Sequence, residues 1–139
     1  MENKLPIFFK SWWLDAVCTG KWDAAILQND GKVFAVWPFQ IESKMGIKLL
    51  RNPILTAYLG PFKIEDKVEN KDWVEQLWEM LPKTGMTQWT TTPEFSDDDF
   101  FYKKVENKTS RVTHYLDLKK TEEQLWKEIH PTRRNAIRK

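Results

Sequence analysis

Apolar positions recur along this chain at two spacings, and the change from one to the other marks out its elements. Trp13, Leu14 and Val17 share one face of a short helix that Ser11 can cap, running to about Cys18 with Asp15 in its first turn. Residues 22–28 then read as a strand, Asn29-Asp30-Gly31 as a hairpin signal, and residues 32–43 as the returning strand. In that strand Val33, Ala35, Trp37, Phe39 and Ile41 hold one face, while Pro38 on the other argues for an edge position or a bulge. Met45-Gly46 predicts the next turn and residues 47–50 a third strand.

Residues 52–62 are apolar but framed by Pro53 and Gly60-Pro61, which predicts a loop or a short strand rather than a helix. Asn70 opens a helix to about Leu81, with Trp73, Val74, Leu77, Trp78 and Leu81 on one face; Pro82 and Gly85 close it. Residues 86–92 are rich in threonine and read as a strand, and Asp97-Asp98-Asp99 as a polar turn before the apolar run Phe100-Phe101-Tyr102. Residues 110–118 alternate as a half-buried strand does. Thr121 and Gln124 form a capping box for a helix carrying Leu125, Trp126 and Ile129, and Pro131 fits the first turn of a terminal helix. The order predicts an α+β fold whose mixed sheet is mostly antiparallel and flanked by helices.

Composition fits that picture. With 139 residues, 41% hydrophobic and 30% charged, the chain has the size and balance of one folded domain. Eight tryptophans and eight phenylalanines are many, enough for a generous core or for a core with an aromatic-lined groove. The single cysteine, Cys18, excludes an internal disulfide and a cysteine-based zinc site, and reads as a small buried hydrophobe. Two histidines are too few for a metal cluster: His114 reads as a core histidine and His130 as a cap for the terminal helix. The isolated acidic turn at Asp97 reads as solvated, and no metal is expected. No signal peptide or membrane span is legible, so the default location is cytoplasmic.

Charge is unevenly placed. The chain is +2, and its last ten residues hold Arg133, Arg134, Arg138 and Lys139 without an acid, so residues 1–129 carry −2. Arg134 and Arg138 share a helical face and could contact phosphate, although the plain alternative is a solvated connector helix. Trp12 and Trp13 are adjacent and cannot face the same side of a helix. One belongs to the core, and the other lies against a loop, a partner or a ring-bearing ligand. Thr56, Tyr58 and Gly60-Pro61 make the best candidate for a cleft wall, Gly60 by close backbone approach and Tyr58 by a hydroxyl beside an apolar ring. Asp15 is a candidate base or amine anchor, set against the preference of any carboxylate for a helix start.

Several of these segments together resemble a known group. Residues 11–17, Trp22-Asp23, Asp30-Gly31 and residues 55–61, with Trp126 and the closing Arg133 to Lys139, resemble the N-terminal part of bacterial GNAT-fold acyltransferases of the FemAB-like group. The resemblance implies two GNAT-like lobes with a catalytic cleft between them, and transfer of an acyl or aminoacyl group from acyl-CoA or aminoacyl-tRNA to an amine. Residues 1–130 would be the first lobe and residues 131–139 the start of a connector helix to a second lobe outside this chain. Trp12, Asp15, Thr56, Tyr58, Gly60, Arg133 and Arg134 would be the substrate-binding residues, with a small-molecule or cell-envelope precursor as acceptor. The Gln/Arg-x-x-Gly-x-Gly/Ala loop that holds a cofactor pyrophosphate is absent, the five glycines standing at 20, 31, 46, 60 and 85. The chain by itself is therefore not expected to hold a cofactor, and its catalytic groups are not named. The competing expectations are a non-catalytic interaction or scaffold domain, and a basic-tailed nucleic-acid-binding module; nucleic acid other than tRNA fits less well because the remainder of the chain is acidic.

Overall fold

Two tight turns set the sheet. In the computed structural model, which describes residues 4–18, 22–65, 71–92, 103–109, 112, 117 and 119–138, Asp30 and Gly31 both take positive φ (50° and 72°) between β1 (Trp22–Asn29) and β2 (Lys32–Lys44). Such turns match the twist of paired strands and favour Asp-Gly. Met45 and Gly46, at φ 53° and 79°, join β2 to β3 (Ile47–Arg51) in the same way. The predicted meander is therefore present.

The sheet has five strands in the order β1-β2-β3-β5, with β4 (Phe62–Lys63) also paired to β2. Antiparallel pairs dominate, but β5 (Met86–Gln88) runs parallel to β3, matching Leu49 with Met86 and Arg51 with Gln88. Parallel neighbours need a crossover. Here it carries helix α2 (Trp73–Met80).

β2 is central rather than an edge, and is buried on both faces from Phe34 to Gln40. Its partners explain how it tolerates Pro38. On one side β4 pairs with Ala35 and Val36 and β3 with Gln40 to Lys44, so that side is open at residues 37–39. The Phe34 carbonyl accepts from Ile64 N–H on that side, and backbone groups two residues apart point the same way. The N–H that Pro38 lacks thus belongs to the gap. β3 and β4 are two pieces of one interrupted strand, and residues 52–61 are an excursion from it.

The bulge lies elsewhere in β2. Leu27 pairs with Ala35 and Gln28 with Val33, leaving Phe34 as the extra residue. This breaks the expected alternation. Phe34, Ala35 and Trp37 pack with Ala25, Val74 and Leu77 on the α2 side, whereas Val33 joins Val36 on the opposite side. There helix α1 (Ser11–Val17) and the 3-10 turn Ile7–Phe9 pack through Leu14, Phe9 and Leu5 against Leu59 and Val36. Ile41, expected on the buried face, is 36% exposed, beyond the covered part of the sheet.

The helix termini differ in detail from expectation. Ser11 is the first residue of α1, not its cap; Lys10 holds the cap position without a side-chain bond, and Asp15 lies past the first turn. Asn70 lies outside the described residues, and α2 begins after Asp72, burying Val74 and Leu77 with Trp73, Trp78 and Leu81 partly covered. The strand predicted over 86–92 ends at Gln88, and the chain continues without ladder pairing to Thr92. The acidic turn at 97–99, the run at 100–102 and His114 lie outside the described residues, as does most of the strand predicted over 110–118; Val112 and Asp117 are exposed and not in a strand.

Residues 1–107 form one compact unit and residues 108–139 another, whereas the sequence places its break at 130. The second unit contains α3 (Glu122–Glu128) and α4 (Pro131–Ile137). The capping box is complete: Gln124 N–H donates to Thr121 Oγ1 at 3.3 Å, and Thr121 N–H to Gln124 Oε1 at 2.9 Å. Thr121→Ala is expected to lower the helicity of this unit and cost about 1 kcal/mol, read from the thermal transition of its far-UV circular dichroism. Pro131 is at the start of α4, and His130 precedes it without a side-chain cap bond.

Candidate functional site

The excursion from the split strand carries Thr56, Tyr58 and Gly60 of the residues singled out by sequence, and Trp12 lies on the helix packed beside it. Pro53 to Thr56 closes a turn, Thr56 N–H donating to Pro53 O at 3.3 Å. Leu55 is third in this turn with φ 59°, a conformation that favours glycine. Thr56 is 9% exposed, and its hydroxyl donates to Ile54 O at 3.3 Å while accepting Trp13 Nε1–H at 3.1 Å. Helix α1 and the excursion are thereby joined across 43 residues of sequence.

Aromatic rings extend this contact. Trp12 meets Trp13 edge-on at 5.9 Å between centroids, Trp13 meets Phe8 at 5.2 Å, and Phe8 meets Tyr58 at 5.0 Å. Edge-to-face pairs of this kind hold ring orientation as well as area. Of the adjacent tryptophans it is Trp13 that lies against the loop, and Trp12 is 52% exposed. Tyr58 is half-buried and packs on the α1-side core.

The excursion is fastened at both ends to one atom. Leu59 N–H donates to Thr90 O at 2.8 Å, and Asn52 Nδ2–H to the same carbonyl at 3.1 Å. Asn52 follows the carboxyl end of β3, and Thr90 lies two residues beyond that of β5. The carboxyl ends of the parallel pair thus lead into two segments, residues 52–61 and 89–92, that are hydrogen-bonded to each other. In these segments Asn52 Oδ1 and Thr92 Oγ1 are buried without a hydrogen-bond partner among the described residues. Sequence reasoning missed both, although an asparagine placed directly before Pro53 at a strand end is a detectable signal.

Gly60 is buried within the excursion, but not because a side chain is forbidden. A Cβ there would meet Thr91 at 3.5 Å, an ordinary contact, and its φ is not positive. Gly60→Ala is expected to change the urea unfolding free energy by less than about 1 kcal/mol; a larger loss would restore the close-approach reading.

Asp15 takes a structural part: its carboxylate accepts Trp22 Nε1–H at 2.7 Å, tying α1 to the start of β1. Near the same end of the sheet, Arg51 pairs with Glu42 at 2.5 Å across β3 and β2. Burial first, then the charges of Asp15 and Glu42, push the Cys18 thiol up to about 11. It is therefore neutral at pH 7 and no nucleophile there. A raised folded-state value stabilises the fold at pH below the ordinary thiol range, and that contribution is lost as pH climbs towards 11.

Arg133 and Arg134 belong to the second unit and are described there alone. Arg133 is exposed, Arg134 half-buried, and Arg138 sits over the Trp126 ring at 5.4 Å, so one tail cation already has an aromatic partner. A separate hollow of about 190 Å³, lined by Asn29, Asp30, Lys32, Phe34 and Glu65, holds none of the predicted residues. Among the described residues no group of three His, Cys, Asp or Glu side chains is placed to hold a metal, and no helix is long and apolar enough to cross a membrane. Comparison of the chain with protein-family models, curated proteins and solved structures finds no match.

Proposed function

We propose that this chain is the N-terminal lobe of a two-lobed, FemAB-like GNAT-type N-acyltransferase, and that the excursion over residues 52–61 forms one wall of the acceptor cleft. The observation that carries this reading is the parallel β3–β5 pair within an otherwise antiparallel sheet. Open sheets with parallel strands take ligands beyond the carboxyl ends of those strands. In this chain those ends lead into the excursion that bears Thr56, Tyr58 and Gly60, with Trp12 beside it on α1. Asn52 Oδ1 is an acceptor and Thr92 Oγ1 both donor and acceptor, a set suited to the N–H of an amine or amide.

On this reading the chain positions the acceptor, and the second lobe supplies the acyl donor site. Attack by a neutral amine on a thioester or ester carbonyl needs a base and oxyanion donors held in place. In this scheme the excursion orients the acceptor, and Cys18, its thiol pushed up to about 11, is not the nucleophile. Acyl-CoA or aminoacyl-tRNA is the donor that the resemblance implies.

The reading is tested on the protein that contains both lobes. Calorimetric titration with acetyl-CoA is expected to show binding there and none with residues 1–139 alone. Asn52→Ala in the two-lobed protein is expected to raise KM for the amine without weakening acetyl-CoA binding. Absence of a second lobe with a pyrophosphate loop in the gene following Lys139 would sink the proposal.

A further inference from the structure

We draw no further inference here: the strongest candidate, the surface patch that the register of β3 and β5 sets on one face of the sheet from Ile47, Leu49 and Met86, the first and last more than half exposed, carries nothing because nothing in the structure shows what covers it.

Discussion

Trp37→Ala is expected to lower the unfolding free energy by about 3–5 kcal/mol, the range for truncating a large buried aromatic. Trp37 is fully buried in the central strand and touches two other tryptophans, Trp89 at 4.8 Å and Trp78 at 6.0 Å between centroids. Trp78 and Trp89 are themselves 5.4 Å apart, closing a triangle. Its corners come from β2, from α2 and from the chain just after β5, so one side chain secures the sheet, its covering helix and the crossover strand. A domain of this size has roughly 5–15 kcal/mol to lose. The variant should therefore unfold at a much lower urea concentration, and a change under about 1 kcal/mol would mean that the triangle is not a core element.

Leu59→Ala should cost about 2–5 kcal/mol, whereas Leu55→Ala, four residues earlier, should stay within about 0.5 kcal/mol. The residue type is the same and the environments are opposite. Leu59 is fully buried among Leu5, Phe9, Leu14 and Val36, and Leu55 is 80% exposed. Because Leu59 also fixes the return of the excursion to the sheet, its loss should expose the excursion to thermolysin before the sheet unfolds. Equal costs at the two positions would contradict the packing described for the excursion.

The elements were legible where the signal is local. Asp30-Gly31 and Met45-Gly46 announce turns because left-handed backbone is needed there, and Thr121 with Gln124 announces a helix start because two side chains exchange bonds over one turn. What escaped depends on distant partners. Nothing near Phe34 in sequence signals the bulge that sends Val33 and Ala35 to opposite faces. Pro38 predicts an edge or a bulge, and neither lies there; only the placement of β3 and β4 shows that the ladder is open at this point on one side of a central strand.

The candidate site divides in the same way. Thr56, Tyr58 and Trp12 could be singled out as polar or aromatic residues near turns, and the structure brings them together with Trp13 and Phe8. Asn52 and Thr92 were missed because their interest lies in being buried next to a strand pair whose partners, such as Leu49 and Met86, are far apart in sequence. Arg133 and Arg134 were prominent through charge, a feature that speaks of attraction and not of place.

The shared anchoring of the excursion on the Thr90 carbonyl makes it an exchangeable part. Asn52 and Leu59 reach the same oxygen from the two ends of the loop, so the sheet is already closed beneath whatever lies between them. Loop closure rises only slowly with length, about 0.6 kcal/mol for each doubling. The exposed tip, Ile54 and Leu55, could therefore be lengthened or replaced while Thr56 and Tyr58 stay packed against the α1 side and β4 keeps its register. Selection, or an engineer, can recast this tip and leave the domain beneath it intact.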